Sequence, residues 1–371
     1  MSHKIKLILL TILLLSKFDG YSQNYKGIYI DGFHQILGNQ QKEDSLFDYL
    51  RTNSFNSISL YNLHLLDFSS STQMTQLRNF ILNAKTNQNI IHVGAVAENA
   101  WFFENKILPY NLGSQANEQF NVFNLEFEFW VPSSVSGYYC STYLSPGGFS
   151  CDEAGAFQFY MQELNAIKSI TSSHGWETEI YLGWFDQTEA NTMKAVADRI
   201  FLSNYNANPN LCFDFSLSRL EYLGSSAHNC EIAALFSSED SFLNPWLTAN
   251  QNDLDSAFSI FTGEYANNSG TWKNNTNLIG QQWFTYSTMN YQLGTLTAEK
   301  MSLNDFEIFP NPVSDAISIE NLKVSQIEIF NSQMKSLGYF EIENGKINLG
   351  ALNSGVYFLK STNQLKKFIK V

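Results

Sequence analysis

Positive charge is scarce in this chain. The 371 residues carry 22 Lys and Arg against 35 Asp and Glu, a formal net charge of −13. That balance argues against nucleic acid and anionic membrane surfaces as partners, because basic patches hold both. Charge of either sign is thin, at 15%. Cysteine occurs four times, as Cys140, Cys151, Cys212 and Cys230, with no C-x-x-C pair. A zinc ribbon and a dithiol redox motif are therefore not expected. No glycine-rich dinucleotide turn follows the first strand-like run, and no Walker sequence and no G-x-S-x-G elbow occur. No cofactor and no metal is expected. Past residue 22, no apolar run is long enough to cross a bilayer.

Aromatic residues are plentiful, with 30 Phe, 18 Tyr and 7 Trp. The N-terminus reads as a secretory signal over residues 1–22. Lys4 and Lys6 supply its positive region and Leu7 to Leu15 its apolar core, with small residues at Gly20 and Ser22 before a cleavage point. Export makes disulfides possible. Closeness in sequence suggests Cys140–Cys151 and Cys212–Cys230, although four cysteines allow three pairings.

After residue 22, apolar strand-like runs alternate with helical ones. Strands are predicted at 27–33, 55–62, 90–96, 120–130, 179–184, 199–204, 231–236 and 278–285. Helices are predicted at 41–51, 72–86, 154–172, 189–197, 217–223 and 247–265. Continuous apolar strands suit a parallel sheet covered on both faces. Eight alternations over roughly 260 residues predict an α/β fold of the (β/α)8 TIM-barrel type. An open doubly wound sheet competes, but lacks its glycine-rich turn. The domains predicted are the barrel at 23–296, a linker at 297–305 and a small β-sandwich at 306–371, read from short strands and Asn-Pro, Asn-Gly and Ser-Gly turns.

The stretch Phe120 to Trp130, FNVFNLEFEFW, organises the candidate site. Side chains two apart on a strand share a face. Asn124, Glu126 and Glu128 thus lie on one face and Phe123, Leu125, Phe127 and Phe129 on the other. Two acids on an otherwise apolar strand are costly unless paired, wet or catalytic. Barrel chemistry gathers at the C-terminal strand ends. Asp31, Trp184, Asn204, Tyr205, Gln281 and Trp283 lie at other strand ends and are candidates for substrate binding, through rings that stack on sugar faces and amides that bond hydroxyls. His34, His64 and His92 follow no known ligand spacing and read as structural. Asp152 and Glu153 read as a helix cap.

Two resemblances follow from these motifs. The tail has Phe309-Pro310-Asn311-Pro312, Ile327-Glu328-Ile329-Phe330, Gly355-Val356-Tyr357-Phe358-Leu359 and the ending Lys366-Lys367-Phe368-Ile369-Lys370-Val371. It resembles the type A sorting domain of the type IX secretion system. That implies the export machinery as a partner and release or display outside the cell. The fourth strand, Asn121-x-x-Asn124-x-Glu126-x-Glu128, resembles the D-x-x-D-x-D-x-E signature of glycoside hydrolase family 18, with only the last Glu identical. That resemblance implies a hydrolase acting on N-acetylglucosamine-containing glycans, with Glu128 as proton donor and Glu126 orienting the acetamido group. A barrel that binds glycan without cutting it, and a surface protein of unrelated role, are the alternatives.

Overall fold

The structure is a computed structural model that describes residues 25–289, 307–320, 326–331, 336–342, 345–361 and 364–371. The expected signal peptide and linker lie outside the described residues. The chain divides into two units, residues 1–290 and 291–371.

The first unit is a closed barrel of eight parallel strands. They are β1 (Tyr25–Ile30), β2 (Ser57–Leu60), β3 (His92–Ala97), β4 (Val122–Leu125), β5 (Glu177–Leu182), β6 (Arg199–Ser203), β7 (Cys230–Ser237) and β8 (Thr276–Phe284). β8 closes the ring on β1, with Ile28 opposite Trp283. The main helices outside are α1 (Gln40–Thr52), α2 (Ser71–Asn87), α3 (Glu153–His174), α4 (Gln187–Lys194), α5 (Pro209–Gly224), α6 (Asn244–Ala249) and α7 (Leu254–Asn267). This is the predicted barrel, except that the strand expected at 120–130 ends at Leu125, so Glu126 and Glu128 lie just past it, and the helix expected at 247–265 is broken into α6 and α7. Three short helical segments at Ala100–Phe102, Phe103–Ile107 and Leu108–Leu112 were not foreseen.

Side-chain oxygens start the helices. Asn39, Ser70, Asp152, Asp186, Asn208 and Asp253 each accept a backbone N–H from the first turn. α3 stops at Gly175, whose φ of 71° suits glycine.

Period-two alternation sorts each strand. Ile28, Ile58, Val93, Phe123, Ile180 and Ile200 face the helices in the large outer core. Tyr25, Tyr29, Val96, Tyr181, Phe201 and Leu235 fill the barrel. The N-terminal end of the barrel is sealed by charge. Arg199 pairs with buried Glu179, lies 3.0 Å from Glu177 and sits 4.6 Å over the Tyr25 ring. His92 reaches Glu177 at 3.2 Å. Burial acts upward on the Glu177 carboxyl, but His92 and Arg199 outweigh it and hold it at about 2. The opposite charges are paired here, and barrel chemistry gathers at the other end.

The disulfide expectation needs correction. Cys140 and Cys151 are bonded, whereas Cys212 and Cys230 are free and buried. Cys212 lies in the first turn of α5, its Sγ donating to the Asn204 carbonyl at 3.3 Å, and Cys230 begins β7. The helix between them rises about 18 Å from Cys212 to its end, at ~1.5 Å per residue. A disulfide tolerates a Cα separation of at most about 7 Å.

The second unit holds two antiparallel sheets. The strands are β9 (Glu307–Phe309), β10 (Ala316–Glu320), β11 (Gln326–Asn331), β12 (Ser336–Glu341), β13 (Lys346–Asn348), β14 (Gly355–Ser361) and β15 (Gln364–Lys370). Their orders are β13-β10-β9 and β12-β11-β14-β15. Ile317, Ile329, Ile347, Leu349, Leu359 and Phe368 form the core between them. Asn311 accepts the Ile369 N–H at 2.9 Å and donates to the Lys367 carbonyl at 3.0 Å. The Pro-Asn-Pro opening is thereby tied to the basic ending.

Candidate functional site

A cleft of about 460 Å³ opens at the C-terminal strand ends. Tyr61, Trp101, Tyr138 and Tyr143 supply rings to its walls, and Glu98 and Glu126 supply carboxylates. A larger depression at the opposite end is lined by Lys168, Glu177, Lys194, Asp198 and Glu231 among others. Its charges are occupied: Lys168 pairs with Asp198 at 2.5 Å, and Lys194 donates to the Leu223, Ser226 and Asn275 carbonyls. The cleft over β3 and β4 is therefore the candidate site.

β4 builds it as its pattern dictates. Phe127 faces away from the acids and stacks on Tyr139 at 4.0 Å, with Tyr143 at 5.9 Å. The apolar side of the strand thus holds the segment that the Cys140–Cys151 bond closes. From that segment Tyr143 donates to Glu98 at 2.6 Å, and Tyr138, just ahead of it in sequence, donates to the same oxygen at 3.4 Å. Glu126, the first residue past β4, points the opposite way. Its Oε2 is buried and has no hydrogen-bond partner among the described residues. Below it Asn124 is fully buried, taking the Tyr29 hydroxyl at 3.5 Å, with its Nδ2 unpartnered. Glu128 lies beside the cleft. The Tyr181 hydroxyl bonds its carboxylate, and its backbone N–H donates to Tyr139 at 3.4 Å. Trp130 packs on Tyr181 at 5.5 Å, and at Gly183 a Cβ would meet Trp130 at 2.5 Å.

The electrostatics follow. Burial first, then the charges of Glu128 and Glu98, push the Glu126 carboxyl up to about 8. Glu128 is also raised, by burial, against the opposing hydrogen bond from Tyr181. Tyr61 is raised by the Glu126 charge and then by burial. At neutral pH the site therefore holds a proton on Glu126.

Of the residues singled out from sequence, Asn124, Glu126, Glu128 and Tyr205 share the inner column. Tyr205 lies against Tyr181 at 6.3 Å. The others are elsewhere. Asp31 is engaged by the Thr285 and Ser287 hydroxyls and the Ser287 N–H. Trp184 is 51% exposed and lies over the Arg219 guanidinium at 4.6 Å. Asn204 is fully buried, its Nδ2 donating to the Leu202 carbonyl. Gln281 bonds Asp255 and Trp283, and Trp283 stacks on Phe236 in the outer core at 5.1 Å. Trp283 thus cannot floor a sugar in the cleft, because on β8 it is Gln282 that faces inward, bonded to Tyr25 and Ser59. His64 lines the cleft, whereas His92 is at the far end of the barrel. Among the described residues no group of three His, Cys, Asp or Glu side chains is placed to hold a metal ion.

Sequence reasoning missed Glu98, Tyr61, Tyr138, Tyr143 and Trp101. The available signal was position: Glu98 and Tyr61 are the first residues past β3 and β2, where barrel sites form.

The fold and cleft define a (β/α)8 barrel with an acidic, ring-lined mouth. Residues 307–371 match the family of secretion system C-terminal sorting domains. The tail indicates export by the type IX route, to the cell surface or the medium. Among the described residues no helix is long and apolar enough to cross a membrane. No curated protein matches the chain in sequence. Among solved structures, the chain is similar to an endo-β-1,4-mannanase double mutant from Cellulomonas fimi, at 9% identity over 94% of each chain with a TM-score of 0.41. It is similar to a glycoside hydrolase family 17 β-1,3-glucanosyltransferase from Rhizomucor miehei, at 10% identity over 71% of this chain and 87% of that one, TM-score 0.41. It is also similar to a homocysteine methyltransferase from Escherichia coli, at 7% identity over 74% and 96%, TM-score 0.38. Likenesses this distant carry no chemistry to this chain.

Proposed function

We propose that the barrel is an exported glycoside hydrolase acting on N-acetylglucosamine-containing glycans. The observation that carries the reading is the pair Glu126 and Glu128 at one end of the barrel, where the Glu126 carboxyl, raised to about 8, lines a cleft walled by rings. Aromatic walls suit the C–H faces of sugars. A neutral carboxylic acid with a second carboxyl beside it suits cleavage of an acetal.

The resemblance to glycoside hydrolase family 18 implies Glu128 as the acid. Here the pair is kept and the proton belongs to Glu126, which lines the cleft. Glu126 protonates the glycosidic oxygen as the C1–O bond breaks with its electron pair going to that oxygen. Positive charge builds on the sugar ring, and the Glu128 carboxylate lies close enough in sequence and space to offset it. Water then adds at C1, and its surplus proton returns to Glu126. Acid–base help of this kind is worth about 10²–10⁴-fold.

The test is a digest of chitooligosaccharides and N-glycans by the purified protein, with E126Q and E128Q alongside. Cleavage by wild type, lost in E126Q, supports the reading. Binding without cleavage by wild type would leave a non-catalytic glycan-binding barrel.

A further inference from the structure

The cleft holds acid, rings and no facing base. Glu98 and Glu126 line it, and no Lys or Arg is among its lining residues. Lys106 lies 5.7 Å from the Trp101 ring and outside the lining. His64 is the remaining titratable nitrogen in the lining. A neutral sugar does not require this arrangement. Its hydroxyls and acetamide are served by amides and backbone groups, without the cost of placing carboxylates together.

Glu98 is held for a task. Two tyrosine hydroxyls, Tyr143 at 2.6 Å and Tyr138 at 3.4 Å, converge on its Oε2. Both come from one wall of the cleft, so they fix the carboxylate while leaving its Oε1 without a donor among the described residues. Across from it, the Glu126 Oε2 is buried and unpartnered. Trp101, 60% exposed, adds a ring face, and ring faces attract cations as carboxylates do.

We infer that the sugar unit seated against Glu98 carries a free ammonium, so that the preferred ligand is a glucosamine-containing glycan with at least one unacetylated unit. The inference rests on the glycan reading above and narrows its substrate class. The ammonium donates to Glu98, beside the Trp101 ring.

The test is tryptophan fluorescence titration of the full-length protein at about pH 6, where an amine is charged. The probes are the β-1,4 tetramers of glucosamine, N-acetylglucosamine and glucose. Wild type should bind the glucosamine tetramer about tenfold or more tightly than the other two, the scale of one charge-assisted hydrogen bond. The preference should shrink as salt is raised. E98Q should lose the preference while keeping the wild-type melting profile; Y143F, which keeps the charge, should retain it. Equal or tighter binding of the acetylated tetramer overturns the inference and leaves the glycan reading standing. A preference that survives in E98Q overturns the assignment to Glu98. Failure to bind any of the three tetramers overturns both.

Discussion

The Tyr143 hydroxyl donates a 2.6 Å hydrogen bond to Glu98 across 45 positions of sequence. The bond joins the end of β3 to the segment closed by Cys140–Cys151, so a covalent loop and a carboxylate of the cleft are parts of one wall. Phe127, two residues past β4 and turned away from the acids, supports that wall by stacking on Tyr139. Stability of the loop and geometry of the site are therefore linked.

Removing the disulfide should show that link. The bridge spans a sequence separation of 11. Closing a loop of that size stabilises a fold by about 3 kcal/mol. The C140S/C151S double variant should lose about that much in urea denaturation, and should bind glycan more weakly than wild type. An unchanged denaturation midpoint would contradict the account.

Glu126 should make stability fall as pH rises. Its folded value of about 8 stands above an unfolded value of about 4.3. Between those values the folded state binds a proton that the unfolded state has lost, so the unfolding free energy declines with pH. The penalty is absent below the unfolded value and complete above the folded one. E126Q, which mimics the neutral acid, should melt like wild type near pH 4 and above it at pH 8 and beyond. Parallel melting curves for the two proteins across that range would place the Glu126 proton elsewhere.

Alkylation under denaturing, non-reducing conditions should label Cys212 and Cys230 and spare Cys140 and Cys151. In the folded protein both free thiols should react slowly even at alkaline pH. Burial pushes Cys212 up to about 12 and Cys230 up to about 11, which leaves little thiolate. A peptide joining Cys212 to Cys230 would refute this.

Arg199 should be among the costliest residues to truncate. Its side chain is 4% exposed and that of its partner Glu179 is 1% exposed. Arg199→Met leaves a buried carboxylate without its cation, a loss of about 3–5 kcal/mol. The double variant with Glu179→Gln should recover part of it. A single-variant loss below about 1 kcal/mol would match an exposed pair instead.

The barrel was legible because its strands are apolar, evenly spaced and separated by helix-forming segments. The same property hid half the site. A strand covered on both faces is apolar on both, so its sequence does not say which parity points inward. Glu126 and Glu128 escaped this ambiguity, since two acids mark their own face. Gln281 and Trp283 did not, and Gln282 proved to be the inward residue of β8. Asn204 and Trp184 were misplaced for the same reason. Glu98 was missed because one acid between Ala97 and Asn99 forms no pattern; only its position past β3 sets it apart. Cys212 and Cys230 are close in sequence, yet a helix carries them to opposite ends of the barrel.

The central claim is that Glu126 and Glu128 cut a glycan. Mass spectrometric analysis of N-acetylglucosamine-containing oligosaccharides, digested by wild type, E126Q and E128Q across a pH series, tests it most directly. The account predicts cleavage by wild type that declines as pH rises through about 8, where the Glu126 proton is lost. It predicts a loss of at least about 10²-fold in E126Q with glycan binding retained. Cleavage by E126Q at the wild-type rate, with the same pH profile, would contradict it.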